Sequence, residues 1–242
     1  MSERPLLEIA ANSLASALVA EEAGADRIEL CASLGEGGLT PSYATIALAR
    51  ERLRIPVYVL IRPRAGDFLY SDLEIETMLG DIEACARLGC DGVVIGALDA
   101  DGNVATAPCR AMIAAAGSLG VTFHRAFDLA RDAQRALEDI IALGCERVLT
   151  SGRCATALEG AQTIRELIER AGRRIVVMPG AGIDADSIAT LRNETGATEF
   201  HASAKRTLAS GMRHRTERLA DMQAGEVRSD AAQIRRMRLA LA

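Results

Sequence analysis

Short, continuously apolar runs recur along the chain and alternate with longer segments of helical character. The runs are LLEIA (6–10), RIELC (27–31), VYVLIR (57–62), GVVIGA (92–97), VTFH (121–124), RVLTS (147–151), IVVMP (175–179) and TEFHA (198–202). They are apolar at successive positions rather than at every second one, which is typical of parallel strands covered on both faces. The pattern therefore predicts eight strands, each followed by a helix.

Several of the intervening segments carry the start and stop signals of helices. Ser71 followed by Glu74 predicts a capping box, and Asp132 and Asp184 predict helix N-caps. A glycine such as Gly144, placed after the last apolar position of its segment, predicts a helix end. These signals support alternation of strands with helices.

Eight strand–helix units in 242 residues predict an α/β fold, a (β/α)8 TIM-like barrel. A doubly wound open sheet is the alternative. No Pro/Ser-rich linker or shift in composition divides the chain, so we predict one domain over residues 1–242. The charged segment from about residue 204 predicts a C-terminal helical tail, with the RTERLADMQAGEVRSD stretch (215–230) partly irregular.

Composition and charge narrow the partners and the compartment. The net charge is −5 and the pI is about 5.4, so no basic field attracts nucleic acid or an anionic membrane. No apolar run approaches the roughly 20 residues of a spanning helix, and the first residues lack the pattern of a signal peptide. The six cysteines form no CxxC motif and suggest reduced thiols. We expect a cytoplasmic protein.

Ionisable residues collect at the predicted strand ends. In a barrel the active site lies where the C-terminal ends of the strands meet, and two of the three histidines fall at such ends. A glutamate there could act as a general base and a histidine as an acid. The alternative is that the glutamates only neutralise nearby arginines. The candidate catalytic residues are Glu8, Glu29, His124, Arg125 and His201.

The loops after the last two strands predict an anion site. PGAGI (179–183) is a glycine-rich turn before a helix, a common phosphate position in barrels, and guanidinium groups could complete it. The alternative is a tight turn that needs positive φ at a glycine. The candidate anion-binding residues are Arg62, Arg64, Gly180, Gly182 and Ser203.

Two further side chains bear on the chemistry. Lys205 is the chain's only lysine and lies past the last strand, where solvent or an anion is its expected neighbour, so imine chemistry is not expected. Cys31 ends the second strand near the predicted mouth. Its thiolate, with His124 or His201, could bind a soft metal such as Cu(I). The alternative role for Cys31 is that of a small apolar filler.

The segments IRPRAGDFLYSD and VTFHRAFD, in series with LLEIAANS and IVVMPGAGI, resemble the CutC copper-homeostasis family over about residues 5 to 215. The resemblance implies a TIM-like barrel, a cytosolic setting, a role in handling copper as Cu(I), and a homodimer or homotetramer. Many relatives have a cysteine at the end of strand 1, where this chain has Ala10. Cu(I) bound by Cys31 would then need His124, His201 or a second subunit.

Two functions of different classes follow. The first is copper homeostasis with direct Cu(I) binding. The second is a barrel enzyme, such as an isomerase or lyase, that uses acid–base chemistry on a small phosphorylated or carboxylated metabolite. Whether the protein is an enzyme stays open at this point.

Overall fold

The computed structural model describes residues 4–214 and 225–242. All eight predicted strands are present, with ends that differ from the prediction by a few residues. The strands are β1 (Leu6–Ala11), β2 (Arg27–Leu30), β3 (Val57–Leu60), β4 (Gly92–Ile95), β5 (Gly120–Phe123), β6 (Arg147–Thr150), β7 (Val176–Pro179) and β8 (Glu199–Ala202).

The eight strands form one parallel sheet that curls into a barrel. Their order is β7-β6-β5-β4-β3-β2-β1-β8, so the first strand pairs with the last. A single parallel bridge between Gly180 and His201 then joins β7 to β8. Because this bridge leaves no open edge between the two end strands, the barrel prediction is confirmed and the open-sheet alternative is wrong.

Helices alternate with the strands on the outside of the barrel. They are α1 (Leu14–Glu22), α2 (Tyr43–Arg52), α3 (Asp72–Arg87), α4 (Thr106–Ala116), α5 (Ala133–Leu143), α6 (Ala161–Ala171), α7 (Ile188–Thr195) and α8 (Ala231–Ala240). Ser71 and Glu74 form the predicted capping box of α3, and Asp132 caps α5. The predicted cap at Asp184 is wrong, because α7 begins at Ile188 after Ser187.

The C-terminal segment is not helical from residue 204. It begins with two antiparallel strands, β9 (Lys205–Leu208) and β10 (Glu226–Ser229), and only then enters α8. The segment pairs with the body of the barrel, since Asn12 Nδ2 donates to the Val227 carbonyl over 2.9 Å. The pairing of β9 with β10 and the contact with Asn12 favour extended backbone over the predicted helix. Residues 215–224 of the stretch predicted to be partly irregular lie outside the described residues.

The core lies between the strands and the helices. Aliphatic side chains fill it, and Phe123, Phe127 and Phe200 are its largest fully buried members. None of the helices that the structure describes has the length and apolarity needed to cross a membrane. The inside of the barrel is different in kind, since it carries charged side chains.

Candidate functional site

A cavity of about 320 Å³ opens where the C-terminal ends of the strands meet. We call it the mouth cavity. Its wall includes most of the residues singled out in the sequence, together with Lys205, Phe68 and several leucines. The predicted residues that line it are Glu29, Cys31, Arg62, His124, Arg125, Gly182, His201 and Ser203.

Three predicted residues do not line the mouth cavity. Glu8 lies behind His201 and is almost fully buried. The Gly180 N–H donates to the Thr150 carbonyl as part of the β6–β7 pairing. Arg64 turns away, since its guanidinium binds the Glu74 carboxylate and carbonyls of its own loop. Arg64 and Gly180 are therefore placed to stabilise the loops around the cavity rather than to contact its contents.

His201 lies between two buried glutamates. Its Nδ1 is 2.7 Å from Glu8 Oε1, and its Nε2 is 3.6 Å from Glu29 Oε2. Burial alone would lower the pKa of His201, but the carboxylates of Glu29 and Glu8 raise it. The imidazolium form is thus favoured inside the protein, held by the two acidic side chains.

The two glutamates differ in protonation. Burial would raise the pKa of Glu8, but the charges of Arg27 and His201 lower it to about 2. For Glu29, burial and the nearby Glu8 carboxylate outweigh the charges of His201 and Arg27, and its pKa rises to about 7. Near neutral pH, Glu8 is a fixed anion, whereas Glu29 can hold or release a proton at the cavity wall.

A chain of buried ion pairs continues from Glu8 through the barrel towards the N-terminal ends of the strands. Arg27 Nε donates to Glu8, and its Nη2 lies 2.6 Å from Glu199 Oε2. Arg147 Nε also contacts Glu199, over 3.0 Å. Both guanidinium groups stack on the ring of Tyr58, at 5.2 and 5.1 Å. The sequence pattern did not predict this cluster, although Arg27 and Arg147 are each a charged residue at the start of a predicted strand.

Arg62 is clamped by the protein backbone. Its Nη1 donates to the carbonyls of Glu36 and Gly38, and its Nη2 donates to that of Gly66, over 2.8–2.9 Å. The guanidinium also stacks on Phe68 at 5.1 Å. The described residues include no carboxylate that forms an ion pair with Arg62. Its buried Nε has no hydrogen-bond partner.

His124 occupies the wall beside Arg62. Its Nδ1 accepts a hydrogen bond from the Ala126 N–H over 3.1 Å, and its ring lies 4.9 Å from that of Phe68. Burial, helped by the charge of Arg62, lowers the pKa of His124 to about 3. His124 is therefore neutral near pH 7, and its buried Nε2 has no partner.

The loop after β7 has the predicted turn but not a free helix N-terminus. Gly182 adopts φ +68, which a glycine allows without strain. The Asp184 side chain accepts from the N–H groups of Asp186 and Ser187, which precede α7. An acidic side chain already occupies the place where a phosphate would sit, so anion binding by Gly182 and Ser203 stays a prediction.

Cys31 lines the mouth cavity with a protonated thiol. Its side chain is almost fully buried, and burial, together with the charge of Glu29, raises its pKa well above the usual value. The thiol contacts the Ala11 carbonyl at 3.7 Å. In the part of the chain that the structure describes, no three His, Cys, Asp or Glu side chains are grouped as a metal ion would need.

Comparison with known sequences finds relatives that share one family. A sequence model of the CutC family matches residues 5–206. A CutC family protein from Xylella fastidiosa is 62% identical over 204 residues, which cover 84% of this chain and 76% of the relative. One from Xanthomonas campestris is 56% identical over 229 residues, or 95% of each chain.

Among solved structures, a CutC protein from Streptococcus agalactiae is similar over 82% of this chain and 98% of its own, with a TM-score of 0.79 and 34% identity. Its name describes it, provisionally, as a copper homeostasis protein.

Proposed function

The chain belongs to the CutC family, and from that premise we propose that it acts in copper homeostasis in the cytosol and binds Cu(I) at the mouth cavity. The provisional copper name of the Streptococcus agalactiae relative supports the proposal. One observation in this chain supports Cu(I) binding. Of the six cysteines, all of them described, only Cys31 lines the cavity, and His201 lines the same cavity. Thiolate and imidazole are ligands that suit Cu(I).

Binding of Cu(I) by this pair would release protons. Thiolate rather than thiol is the metal ligand, and the pKa of Cys31 is raised by burial and by Glu29. His201 must also give up its proton and its contact with a glutamate. The affinity for Cu(I) should therefore rise about tenfold per pH unit for each proton displaced.

An anaerobic Cu(I) titration against a competing chelator tests the proposal. Cys31→Ala should abolish binding that is tighter than a free thiol provides. Cys109→Ala is the matched control, because Cys109 is equally buried but lies on α4, outside the mouth cavity. Equal Cu(I) affinity in wild type and Cys31→Ala, with both variants folded, would contradict a role for Cys31 as ligand.

A second candidate function is acid–base chemistry on a small anionic metabolite. The specific observation is that Glu29, a carboxyl whose pKa burial raises to about 7, faces the same cavity as three cationic side chains, Arg62, Arg125 and Lys205. Cations would attract and orient an anion, while Glu29 could move a proton near neutral pH.

Thermal-shift measurements with sugar phosphates and dicarboxylates test this second candidate. A ligand of this class should raise the melting temperature of wild type in proportion to the logarithm of its concentration. Glu29→Gln should retain the shift, because the amide keeps the shape of the cavity, but it should abolish any proton transfer. Flat responses over the whole panel would count against the second candidate.

A further inference from the structure

Arg62 and His124, two residues that line the mouth cavity, each have a buried polar atom without a hydrogen-bond partner. These atoms are Arg62 Nε and His124 Nε2. The two residues are only 6% and 5% exposed, so water does not bathe them freely. Buried polar groups are nearly always hydrogen-bonded in folded proteins, and an unpaired one is costly. Two such atoms on residues that line one cavity point to a ligand that completes them.

The hydrogen bonding around His124 determines which of its nitrogens carries the proton. Nδ1 accepts from the Ala126 N–H, so its lone pair is in use and it carries no hydrogen. The neutral ring must then carry its hydrogen on Nε2, which is a donor. A Cβ at position 96 would overlap the imidazole, so Gly96 allows the ring to lie where it does. His124 Nε2 therefore has no lone pair to offer a metal ion.

Arg62 holds its Nε–H in a fixed position. Three backbone carbonyls hold Nη1 and Nη2, and the stack on Phe68 fixes the plane of the guanidinium. The same Phe68 ring contacts His124, so one aromatic side chain positions both residues. The Nε–H of Arg62 is thus pre-oriented, and its positive charge has no carboxylate partner among the described residues.

We propose that Arg62 Nε–H and His124 Nε2–H form a two-donor subsite for the carboxylate of a small organic acid. Two fixed donors match the two oxygens of a planar carboxylate, and the cation supplies the opposite charge. Leu34, Leu60 and Leu149 also line the cavity and suit an apolar body. This proposal rests on the second candidate function. It specifies the ligand class, a carboxylate, and the atoms that contact it.

A carboxylate fits this wall better than a phosphate. A phosphate presents more oxygens than two donors can satisfy. The turn that precedes α7, whose N–H groups could have supplied more donors, already donates to the Asp184 carboxylate. Glu29 and His201 also line the cavity, and neither is needed to hold the carboxylate.

Nitrogen NMR of histidine-labelled protein tests the subsite, with benzoate as the probe and benzamide and inorganic phosphate as comparison compounds. The chain has three histidines, and His214→Phe is the matched control because His214 is exposed. In wild type, the His124 signals should show hydrogen on Nε2. Saturating benzoate should shift the Nε2–H resonance downfield, and benzamide should shift it less.

Affinity provides the second readout. His124→Phe should weaken benzoate binding roughly tenfold or more, because a charged acceptor loses a buried donor, whereas His214→Phe should leave it unchanged. A hydrogen on Nδ1, no benzoate binding, or equal binding of phosphate would each overturn the carboxylate subsite. If dicarboxylates raise the melting temperature while His124 Nε2 stays unperturbed, the second candidate function survives and the subsite fails.

Discussion

At the scale of single residues, surroundings decide chemistry more than residue type does. Glu8 and Glu29 are adjacent in the barrel wall and contact the same histidine. Arg27 lowers the pKa of Glu8 to about 2, whereas burial raises that of Glu29 to about 7. The sequence marks both as candidate bases. Only the positions of Arg27 and His201 separate a structural anion from a group able to exchange a proton.

Glu29 should make the protein less stable as pH rises. A carboxyl whose folded pKa is raised favours the protonated form, so stability falls between its unfolded pKa near 4.5 and about 7. Relative to Glu29→Gln, wild type should lose roughly 3 kcal/mol of unfolding free energy over this range. The raised pKa of His201 acts in the same direction.

Urea unfolding of both proteins at pH 5 and pH 8 checks this prediction. Glu169→Gln on the exposed face of α6 is the control and should follow wild type at both pH values. Parallel pH curves for wild type and Glu29→Gln would show that Glu29 titrates normally.

At the scale of elements, apolar runs identified every barrel strand, but not why certain strands begin with glycine. Gly92 begins β4 and Gly120 begins β5, and the ring of Tyr58 lies across both. Tyr58 in turn carries the two stacked guanidinium groups of the buried ion chain. The absence of two Cβ atoms therefore makes room for the charged interior of the barrel.

Gly92→Ala should destabilise the barrel because the new Cβ would overlap the Tyr58 ring. Overpacking of this kind costs about 1–3 kcal/mol, or more when the backbone cannot move. Gly80→Ala, on the exposed face of α3 with open space around it, should stabilise by about 0.5–1 kcal/mol. Chemical denaturation of the two variants measures both, and a neutral Gly92→Ala would mean that Tyr58 moves freely.

At the scale of the whole molecule, the chain's end is part of the barrel. Arg238 Nη1 on α8 donates to Asp26 Oδ2 over 2.8 Å and to the Pro5 carbonyl over 3.1 Å. α8 also buries Ile234 and Met237 completely. These contacts join the last helix to the segments that lead into β1 and β2.

Ile234→Ala should cost about 2–5 kcal/mol of unfolding free energy, because it leaves a cavity under α8. Leu239→Ala on the same helix should cost less than about 0.5 kcal/mol, since that side chain is 77% exposed. Thermal or urea unfolding compares the two. Equal effects would mean that α8 is not packed on the barrel as the structure shows.

The sequence by itself determined the strands, the parallel barrel and the family. Short continuous apolar runs that alternate with helical segments are typical of parallel strands buried on both faces, and that information is local. The sequence also indicated that polar residues would meet at the C-terminal ends of the strands. The position of each along its strand was enough to bring Glu29, His124 and His201 into one cavity.

Tertiary structure alone decided what those residues can do. The ion pairs that run from His201 to Arg147 join positions far apart in sequence, and the clamp on Arg62 uses carbonyls of the loop after β2 as well as one of its own loop. Hydrogen bonding fixes the tautomer of His124, and burial keeps the thiol of Cys31 protonated. Protonation and donor geometry depend on distances and on water exclusion, which no local pattern of residues encodes.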